Sequence, residues 1–418
     1  MDVLVIGSGG REHAICLSLR KSPRISKLFC APGNGGISKI AECLDISATD
    51  IAKTVAFAKD KPIDFVVVAP DNPLADGMVD ALEEAGIRAF GPRKDAAKLE
   101  SSKVYAKGIM KKYGIPTAGY EVFAEAEAAR AYVRRRGAPL VVKADGLALG
   151  KGVVVAPDEK TALQAIDSMM LDKKFGESGN RVIIEECMTG REVTVLAFTD
   201  GKTVVPMPSS QDHKRANTGD LGPNTGGMGA FCPSPYYTGE IADQCMKTII
   251  RPTIDAMNSE GCPFKGVLYF GLMLTPQGPR VIEYNARFGD PEAQAVLPML
   301  ETDLLEIFEA IVDERLQETD ISWRGGHTCC VVMASGGYPG GYKTGKRIYG
   351  LGDVPGDITV YHAGTALADD GSFVTNGGRV LGVTATADTL ERASARAYEG
   401  LSLISFENAH FRTDIGVL

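Results

Sequence analysis

The chain is organised around one glycine-rich stretch, Leu140-Val-Val-Lys-Ala-Asp-Gly-Leu-Ala-Leu-Gly-Lys-Gly-Val-Val-Val155. A β-branched run ends at Lys143, three glycines interrupt the chain, and a second valine run begins at Val153. Because no helical pattern opens after the last glycine, the stretch predicts a hairpin of two strands. The N–H groups of such a turn can lie over a polyphosphate, with Lys143 and Lys151 as counter-charges.

The residues around the glycines distinguish this hairpin from a Walker A loop. A Walker A loop continues from Gly-Lys into Ser or Thr at the start of a helix, whereas Gly150-Lys151-Gly152 continues into a strand. The hairpin therefore favours a nucleotide enzyme of the ATP-grasp type, in which ATP lies between two sheets. The alternative is an exposed hairpin whose lysines are solvated.

Length and composition exclude several classes of protein. A chain of 418 residues is long enough for about three domains, and a net charge of -8 argues against a nucleic-acid partner. No apolar run reaches membrane-spanning length, the N-terminus lacks the basic start of a signal peptide, and the nine scattered cysteines include no CxxC pair. We expect a cytoplasmic monomer with reduced thiols and small-molecule substrates, and with no nucleic-acid or membrane partner.

The first residues predict a doubly wound α/β unit. Val3–Ala14 is typical of a buried strand, a tight glycine turn and the start of a helix. Glu12 stands where a dinucleotide-binding fingerprint has its third glycine, so the NAD signal is weak. Gly9, Gly10 and Arg11 would place N–H groups and a cation at the helix N-terminus, which favours an anion site. A purely structural turn is the alternative.

Two more loops of this unit follow predicted strands. Ala31–Gly36 follows the strand Leu28–Cys30, and Pro70-Asp71-Asn72-Pro73 follows the buried strand Asp64–Ala69. Ligands of open α/β sheets lie outside the carboxyl ends of the strands, so the loops together predict a small-ligand cleft. Any one of them alone could be a connector.

The middle of the chain predicts helices on both sides of the hairpin. Their patterns cover Asp95–Leu99, Lys103–Tyr113 behind the caps Ser101-Ser102, Phe123–Arg136 and Asp158–Leu171. Lys103 could reach a phosphate from the first turn of its helix. The strand Arg181–Cys187 ends in Glu185 and Glu186, and its end could meet an adenine while Glu192 holds ribose hydroxyls. The alternative is that these charged residues are simply solvated at the end of the strand.

A long polar segment, residues 209–229, follows these elements. It carries Asp212, His213, Lys214, Arg215 and Thr225 among its glycines. Loops of this length in compact domains are usually functional or disordered, and the density of hydrogen-bonding groups favours a substrate loop over a linker. His213 is a poor catalytic candidate, because no Ser or Cys nucleophile pattern accompanies it.

Two adjacent strands, Gly266–Leu274 and a second one within Pro279–Glu292, predict a metal site. Period two places Glu283 and Asn285 on one face of the second strand, with Ile282 and Tyr284 on the other. A carboxylate and an amide oxygen side by side are hard ligands suited to Mg²⁺, which would bridge ATP phosphates. Arg287 continues that face, and Asp290, Pro291 and Glu292 lie beyond the strand.

The remainder of the chain predicts two helices, a linker and a strand-rich C-terminal part. In chain order these are helices Pro291–Met299 and Thr302–Leu316, the linker Trp323–Gly326, strands Cys329–Ala334, Val360–Ala363 and Arg379–Ala385, and a helix from Thr389 to Ile404. Lys343, Asn376 and Arg379 fall in glycine-rich turns, where they could complete an anion site or simply be exposed.

Taken together, these motifs resemble one family, the glycinamide ribonucleotide synthetases (phosphoribosylamine–glycine ligases) of de novo purine biosynthesis. The resemblance runs essentially from end to end. Its most specific phrases are Gln-Asp-His-Lys-Arg at residues 211–215 and Asn-Ala-Arg-Phe-Gly-Asp-Pro-Glu at residues 285–292. Others include Val3–His13, Leu99–Lys103, Gly222–Ala230 and Thr375–Val383.

The resemblance implies a multidomain α/β and α+β fold. It comprises an N-terminal doubly wound (pre-ATP-grasp) domain at residues 1–100, an ATP-grasp domain at 101–322 with an inserted lid at about 121–188, and a C-terminal β-rich domain at 323–418. It also implies an ATP-dependent ligase with Mg²⁺ or Mn²⁺. This enzyme would join glycine to 5-phosphoribosylamine through a glycyl phosphate, releasing ADP and phosphate.

The same resemblance suggests a role for each candidate residue. ATP would be bound by Lys103, Lys143, Gly150, Lys151, Gly152, Glu185, Glu186, Cys187 and Glu192, and the metal by Glu283 and Asn285. Catalysis would involve Arg287, Asp212, Lys143 and Asp290. The two other substrates would be bound by Gly9, Gly10, Arg11, Asp71, Asp212, Arg287, Asp290, Pro291, Glu292, Lys343 and Arg379.

Two departures and three rival interpretations remain. The family usually has Gly-Pro-Glu at Ala69-Pro70-Asp71, so Asp71 would have to reach one methylene further to a ribose hydroxyl. Many ATP-grasp enzymes carry a further acid on the strand before the metal strand, which here reads Tyr269-Phe-Gly-Leu-Met273. The rivals are a carboxylating ATP-grasp enzyme that activates bicarbonate, an NAD-linked oxidoreductase and a non-catalytic nucleotide-binding regulator.

Overall fold

The computed structural model describes residues 1–147 and 152–418, and its N-terminal part is a doubly wound unit. Its elements are β1 (Asp2–Gly7), α1 (Gly10–Leu19), β2 (Lys27–Pro32), β3 (Glu42–Cys43), α2 (Ile51–Asp60), β4 (Phe65–Val68), α3 (Asp71–Asp76), α4 (Met78–Glu84) and β5 (Ala89–Phe90). The strands form one parallel sheet in the order β3-β2-β1-β4-β5. Val3–Ile6 and Phe65–Val68 are apolar at every position because both faces of the sheet are covered.

Two helices lead into the lid, a second unit that carries the glycine-rich hairpin. The helices are α5 (Lys98–Ser101) and α6 (Lys103–Lys112), and the lid comprises β6 (Tyr120–Phe123), α7 (Ala126–Arg136), β7 (Leu140–Ala144), β8 (Val153–Ala156), α8 (Glu159–Ile166) and β9 (Val182–Glu186). Its antiparallel sheet has the order β6-β9-β7-β8. Lys143 is paired with Val153, which confirms the predicted hairpin.

Two of the predicted helix boundaries are shifted in the structure. The Asp95 carboxylate accepts a hydrogen bond from the Ala96 amide at 2.7 Å within a turn, so α5 begins only at Lys98. Phe123 ends strand β6 rather than starting a helix. The cap of α6 is confirmed, because the Ser102 hydroxyl accepts a hydrogen bond from the Tyr105 amide at 3.1 Å.

The body of the molecule is built on a second antiparallel sheet. Its elements are β10 (Arg191–Asp200), β11 (Val204–Pro206), β12 (Gln211–Asp212), β13 (Arg215–Asn217), β14 (Leu221–Asn224), β15 (Gly229–Cys232), α9 (Gly239–Cys245), α10 (Arg251–Ser259), β16 (Lys265–Thr275), β17 (Gly278–Asn285), α11 (Glu292–Val296) and α12 (Leu304–Val312). The sheet order is β11-β10-β16-β17, and β13 pairs with β14 as a small hairpin.

A β-bulge in β17 corrects one predicted placement. Gly271 pairs with Glu283 and Leu272 with Val281, so Ile282 is an extra residue in the strand. Simple alternation would place Ile282 opposite Glu283. Instead both residues line the central cleft, as does part of the buried Tyr284, while Val281 is buried in the core.

The C-terminal part is β-rich, as predicted. It contains β18 (His327–Ala334), β19 (Thr359–His362), β20 (Thr365–Leu367), β21 (Phe373–Thr375), β22 (Arg379–Ala387) and α13 (Leu390–Ser402). Its sheet has the order β12-β15-β18-β22-β19, and therefore takes in β12 from the polar segment at 209–229 and β15, which begins at the end of that segment. This pairing attaches the predicted substrate loop to the C-terminal part. Among the described residues, no helix is both long and apolar enough to cross a membrane.

A pair of buried histidines joins the N-terminal and C-terminal parts. The His362 amide donates to His13 Nδ1 at 2.7 Å, and the two ring centroids are 5.6 Å apart. Burial, together with the neighbouring His362, lowers the pKa of His13 to about 3. Burial also lowers the pKa of His362 to about 4.

These histidines should make the fold sensitive to acid. Both are neutral when folded but bind protons below about pH 6.5 when unfolded, so the free energy of unfolding should fall as the pH drops from about 6.5 towards 4. Each contributes up to about 1.4 kcal/mol per pH unit in that window. Urea unfolding at pH 7, 6 and 5 should show a shallower loss for His362→Gln than for the wild type. The half-exposed His327→Gln is the control, and an unchanged pH slope in His362→Gln would contradict this prediction.

Candidate active site

One cavity of about 1030 Å³ lies between the lid sheet and the body sheet and reaches the loops of the N-terminal and C-terminal parts. Most of the predicted site residues line it. They are Arg11, Asp71, Lys103, Lys143, Gly152, Glu185, Glu186, Cys187, Glu192, Asp212, Glu283, Asn285, Arg287, Asp290, Glu292 and Arg379. Gly150 and Lys151 lie outside the described residues.

Four predicted substrate residues do not line the cavity. Gly10 packs against Gln294, where an added Cβ would lie 2.3 Å from the side-chain nitrogen. Gly9 lies beneath Asp290, and Pro291 packs against the backbone of the substrate loop. Lys343 is exposed in a loop of the C-terminal part.

Carboxylates of the protein already surround the first βα turn. The Glu12 carboxylate accepts hydrogen bonds from the Gly9 amide and from Arg11 Nε, both at 2.6 Å, and Asp290 Oδ2 accepts one from the Arg11 amide at 3.2 Å. Gly7, with φ +124°, lies so close that an added Cβ would be 2.4 Å from Glu12 Cγ. A negative side chain in this position repels a pyrophosphate, which argues against the NAD-linked interpretation.

Two lysines predicted to meet phosphates lie where the lid joins the body. Lys103 Nζ donates to the Gly146 carbonyl at 2.8 Å, and Lys143 Nζ donates to the Ile282 carbonyl at 3.1 Å. Asp145, at the start of the glycine turn, accepts hydrogen bonds from the Ser102 hydroxyl and the Val104 amide, both at 3.1 Å. The capped N-terminus of α6 therefore fixes the base of the turn.

The acids expected near adenosine make ion pairs with neighbouring cations. Glu185 is buried, and its Oε2 is 3.0 Å from Lys143 Nζ. Glu186 Oε1 is 2.7 Å from Arg280 Nη1, and Glu192 Oε2 is 3.6 Å from Lys214 Nζ. The Glu185 side chain thus pairs with one of the lysines predicted to meet phosphates, a role that the sequence did not suggest.

Glu283 and Asn285 lie together on the opposite wall, and their chemistry fits a hard cation. Burial alone would raise the pKa of Glu283, but the ammonium groups of Lys214, Lys143 and Lys103 lower it to about 2. Glu283 is therefore ionised at neutral pH. In the described residues no cluster of three or more His, Cys, Asp or Glu side chains could hold a metal. Mg²⁺ is nevertheless commonly bound by two protein oxygens, with phosphates and water completing its coordination shell.

A cationic side chain with an unused donor lies next to this pair. Arg287 Nη2 is 2.7 Å from Glu100 Oε1 and 3.3 Å from Asn285 Oδ1, while its buried Nε has no hydrogen-bond partner. Glu100 Oε2 accepts a hydrogen bond from the Ala286 amide at 2.7 Å, which fixes the carboxylate that orients the guanidinium. An anionic group in the cavity could use the free donor of Arg287.

Carboxyl groups close the far end of the cavity. Asp212 Oδ1 is buried without a hydrogen-bond partner, and burial followed by repulsion from Glu292 raises the pKa of Asp212 well above its usual range. Arg379 Nη1 donates to the carbonyls of Gly226 and Asp290, at 2.7 Å and 2.6 Å. Arg379 therefore joins the substrate loop to the end of the metal strand, and Asp212 is available to a cationic or amine ligand.

The C-terminal segment holds the substrate loop from the outside. Arg412 is 1% exposed, and its guanidinium contacts Asp220 Oδ1 at 2.7 Å, Asp414 Oδ2 at 2.6 Å and the Arg215 carbonyl at 3.2 Å. The Gly219 amide also donates to Asp414 Oδ2 at 2.9 Å. The β13–β14 hairpin is thus attached to residues 412–414.

Replacing Arg412 by methionine should release this hairpin. The buried contacts of the guanidinium would be lost, so we expect the free energy of unfolding to fall by about 1–3 kcal/mol and proteolysis at residues 213–224 to accelerate. Urea unfolding and limited proteolysis measure the two effects. Arg392→Met is the matched control, because the Arg392 side chain is 74% exposed. Equal stability of wild type and Arg412→Met would contradict this prediction.

The fold and the cavity together define an ATP-grasp enzyme, because two antiparallel sheets enclose a cleft with lysines on one wall and hard-metal ligands on the other. Three family models match the chain: Phosphoribosylglycinamide synthetase N domain at residues 1–100, its ATP-grasp (A) domain at 101–293 and its C domain at 328–418. The chain belongs to the phosphoribosylglycinamide synthetase family. The predicted fold class is confirmed.

Full-length relatives support the same assignment. The chain is 49% identical to the phosphoribosylamine–glycine ligase of Brucella melitensis over 418 residues, which cover 100% of this chain and 97% of the relative. It is also 49% identical to the enzyme of that name from Halalkalibacterium halodurans, over 100% of this chain and 96% of the relative.

Solved structures agree with the architecture. The crystal structure of phosphoribosylamine–glycine ligase from Thermotoga maritima superimposes with a TM-score of 0.84 at 34% identity, covering 99% of this chain and 100% of that one. The biotin carboxylase domain of Hydrogenobacter thermophilus 2-oxoglutarate carboxylase, in complex with MgADP, ADP and bicarbonate, has a TM-score of 0.76 at 17% identity. It covers 98% of this chain and 91% of that one, and it shares the fold.

Several residues of the site were missed by the sequence analysis. Glu100 and Asp145 act through hydrogen bonds to other segments, so their neighbours in sequence give no signal. Lys107 follows Lys103 by four residues on α6 and therefore lies on the same face of the helix. That spacing could have identified it.

Proposed function

We propose that this chain ligates glycine to 5-phosphoribosylamine at the expense of ATP, giving glycinamide ribonucleotide, ADP and phosphate. The observation that carries the proposal is the juxtaposition, in one cavity, of Lys103 and Lys143 with Glu283, Asn285 and Arg287. The names of the full-length relatives support the choice of substrates. The compartment we propose for this reaction is the cytoplasm.

The chemistry requires activation of a poor electrophile. A glycine carboxylate resists attack because its charge is delocalised and oxide is a bad leaving group. Its oxygen would attack the γ-phosphorus of ATP, and ADP would leave. The amine of phosphoribosylamine would then attack the carbonyl carbon of glycyl phosphate, and phosphate would leave. This route needs no covalent enzyme intermediate, so positioning and charge neutralisation provide the catalysis.

Each wall of the cavity has a part in this scheme. Lys103 and Lys143 would neutralise the ATP phosphates, and Glu283 and Asn285 would hold Mg²⁺ or Mn²⁺. The bound cation would supply charge neutralisation of the phosphoryl oxygens. The side-chain oxygens of Glu283 and Asn285 contact Lys214 and Arg287, at 3.4 Å and 3.3 Å. These two cations would have to give up those contacts for a metal to bind.

Arg287 and Asp212 would serve the amino-acid end of the reaction. The free Nε of Arg287 would donate to the glycine carboxylate and then to the acyl phosphate. Asp212, with its raised pKa, would accept the proton that the attacking amine loses. Asp290 would orient the loop from its contacts with Arg11 and Arg379.

A coupled assay of ADP release tests this function. Release should require ATP, a divalent metal, glycine and phosphoribosylamine together, and omission of either of the last two should abolish it. Release that depends on bicarbonate instead would favour a carboxylating ATP-grasp enzyme. Absence of any glycine-dependent release in a folded, metal-supplied protein would refute the proposal.

A further inference from the structure

Three buried charges form a cluster beside the proposed nucleotide site. Lys107 Nζ is 3.2 Å from Glu185 Oε1, and Lys143 Nζ is 3.0 Å from Glu185 Oε2. The side chains are 3–4% exposed. The Lys107 contact is an ion pair without a well-directed hydrogen bond, since Glu185 Oε1 has no hydrogen-bond partner. We call Lys107, Glu185 and Lys143 the Lys–Glu–Lys cluster.

The cluster lies at the joint between the lid and the body. Lys107 Nζ donates to Thr117 Oγ1 at 2.7 Å, and Thr117 Oγ1 donates to the Val281 carbonyl at 2.6 Å. Lys143 Nζ donates to the next carbonyl, that of Ile282, at 3.1 Å. Both lysines are therefore connected to the same stretch of β17, immediately before Glu283.

The charges of the cluster determine how Lys143 is held. If Lys143 were the only partner of the buried Glu185 carboxylate, the pair would be neutral and the ammonium would be drawn towards the carboxylate. With Lys107 on the other oxygen, the cluster keeps one positive charge. Lys143 Nζ then remains available to an anion in the cavity while its position stays defined.

We propose that Lys107 is a positioning residue which, by sharing the Glu185 carboxylate, holds Lys143 Nζ ready for the phosphates of a nucleotide. The inference rests on the proposed function, because it assumes that Lys143 meets ATP. It concerns a residue that acts through Glu185 rather than one that reacts.

The pH dependence of nucleotide binding gives a readout that a merely structural role would not change. Burial lowers the pKa of Lys107 to about 8, and the nearby Glu185 opposes that effect. The charged and titratable groups that face Lys107 are Glu185 and Glu186 on β9, Lys143 on β7 and Tyr120 on β6. Nucleotide affinity should weaken between pH 7 and 9 as Lys107 loses its proton. Burial also lowers the pKa of Lys103, so the informative quantity is the difference between variants.

The test compares Lys107→Met, Glu185→Gln, the double variant and the exposed control Lys111→Met. The dissociation constant of a non-hydrolysable ATP analogue with Mg²⁺ is measured by calorimetry at pH 7 and 9, and KM for ATP and kcat are measured with both co-substrates. We expect Lys107→Met to weaken binding at pH 7 about tenfold, or about 1.4 kcal/mol, and to change kcat much less, because Lys107 acts on the position of Lys143 and not on the reacting groups. Lys111→Met should match the wild type.

The double variant separates an indirect from a direct role. If Lys107 acts through Glu185, the double variant binds about as well as Glu185→Gln alone. If the loss of affinity in the double variant equals the product of the losses in the two single variants, Lys107 meets the phosphates itself, and the proposal is overturned. Wild-type affinity in a folded Lys107→Met protein would also overturn it. Failure of the wild type to release ADP with glycine would refute the proposed function instead, because nucleotide binding is measured independently.

Thermal unfolding establishes whether each variant is folded. If Lys107→Met does not fold, the pH dependence of nucleotide binding by Glu185→Gln tests the proposal on its own. The loss of affinity between pH 7 and 9 should then be smaller in Glu185→Gln than in the wild type, and an equal loss would overturn the proposal.

Discussion

Replacing Arg287 by lysine is expected to lower kcat/KM for glycine by about 1000-fold, the larger part of it in kcat. Lysine keeps the charge but loses the planar guanidinium, which reaches Glu100 and Asn285 while keeping its buried Nε free. A preorganised donor at a developing charge is worth about 10²–10³ in rate, and the loss of ground-state binding adds to it. KM for ATP should change by only about twofold, because we propose that Arg287 binds the glycine carboxylate rather than ATP.

Initial rates at varied glycine and fixed saturating ATP measure this effect. Arg396→Lys is the matched control, because it makes the same change at an arginine whose partner, Asp357, is 63% exposed. Thermal unfolding is needed alongside, since Glu100 is buried and depends on a cation at this position. A folded Arg287→Lys enzyme with wild-type kcat/KM for glycine would exclude Arg287 from the reaction.

Replacing Glu283 by glutamine should cost about 1000-fold in kcat and make activity depend on a higher metal concentration. The substitution preserves shape but removes a carboxylate that three ammonium groups keep ionised, with a pKa of about 2. A loss of this size corresponds to about 4 kcal/mol, within the range expected of a metal that neutralises a transferring phosphoryl group. Excess Mn²⁺ should restore part of the rate, because the Asn285 oxygen remains.

The metal dependence of ADP release distinguishes this effect from a general disturbance. Titration with Mg²⁺ and with Mn²⁺ should shift to higher concentrations in Glu283→Gln. Glu121→Gln, the same change at an exposed residue of β6, should leave both curves in place. Full turnover at the wild-type metal requirement would show that Glu283 does not hold the metal.

Much of the fold could be predicted because its signals are local. Buried parallel strands are continuous apolar runs, such as Phe65–Val68. The Ser102 side chain caps α6 by accepting a hydrogen bond from the amide of Tyr105, three residues later. The pairing of β7 with β8 and that of β16 with β17 follow from strand patterns that are close together in the sequence. The β-bulge at Ile282 was not predictable, because period-two alternation contains no signal for an extra residue.

The site could be predicted only in part, for a related reason. Glu283, Asn285 and Arg287 lie within five residues of one another, so strand geometry alone brings them together. Glu100 and Ala286 are 186 residues apart, and Arg412 and Asp220 are 192 apart. No local pattern encodes such pairs, and Gly9 and Gly10 lie under Asp290 and Gln294 for the same reason. Their contact with other segments, not their sequence motif, decides whether they meet a ligand.

The sequence by itself determined the class of fold, the hairpin and the chemical character of the two walls, because apolar periodicity and turn residues act over a few positions. Tertiary structure decided which charges face each other. Only the packing of α6, β7 and β9 places Lys107 and Lys143 against one buried carboxylate. Because water is excluded there, these charges interact more strongly than they would at the surface. We propose that the affinity of the cavity for a phosphate depends on this placement, since the effect of a buried charge depends on its partners.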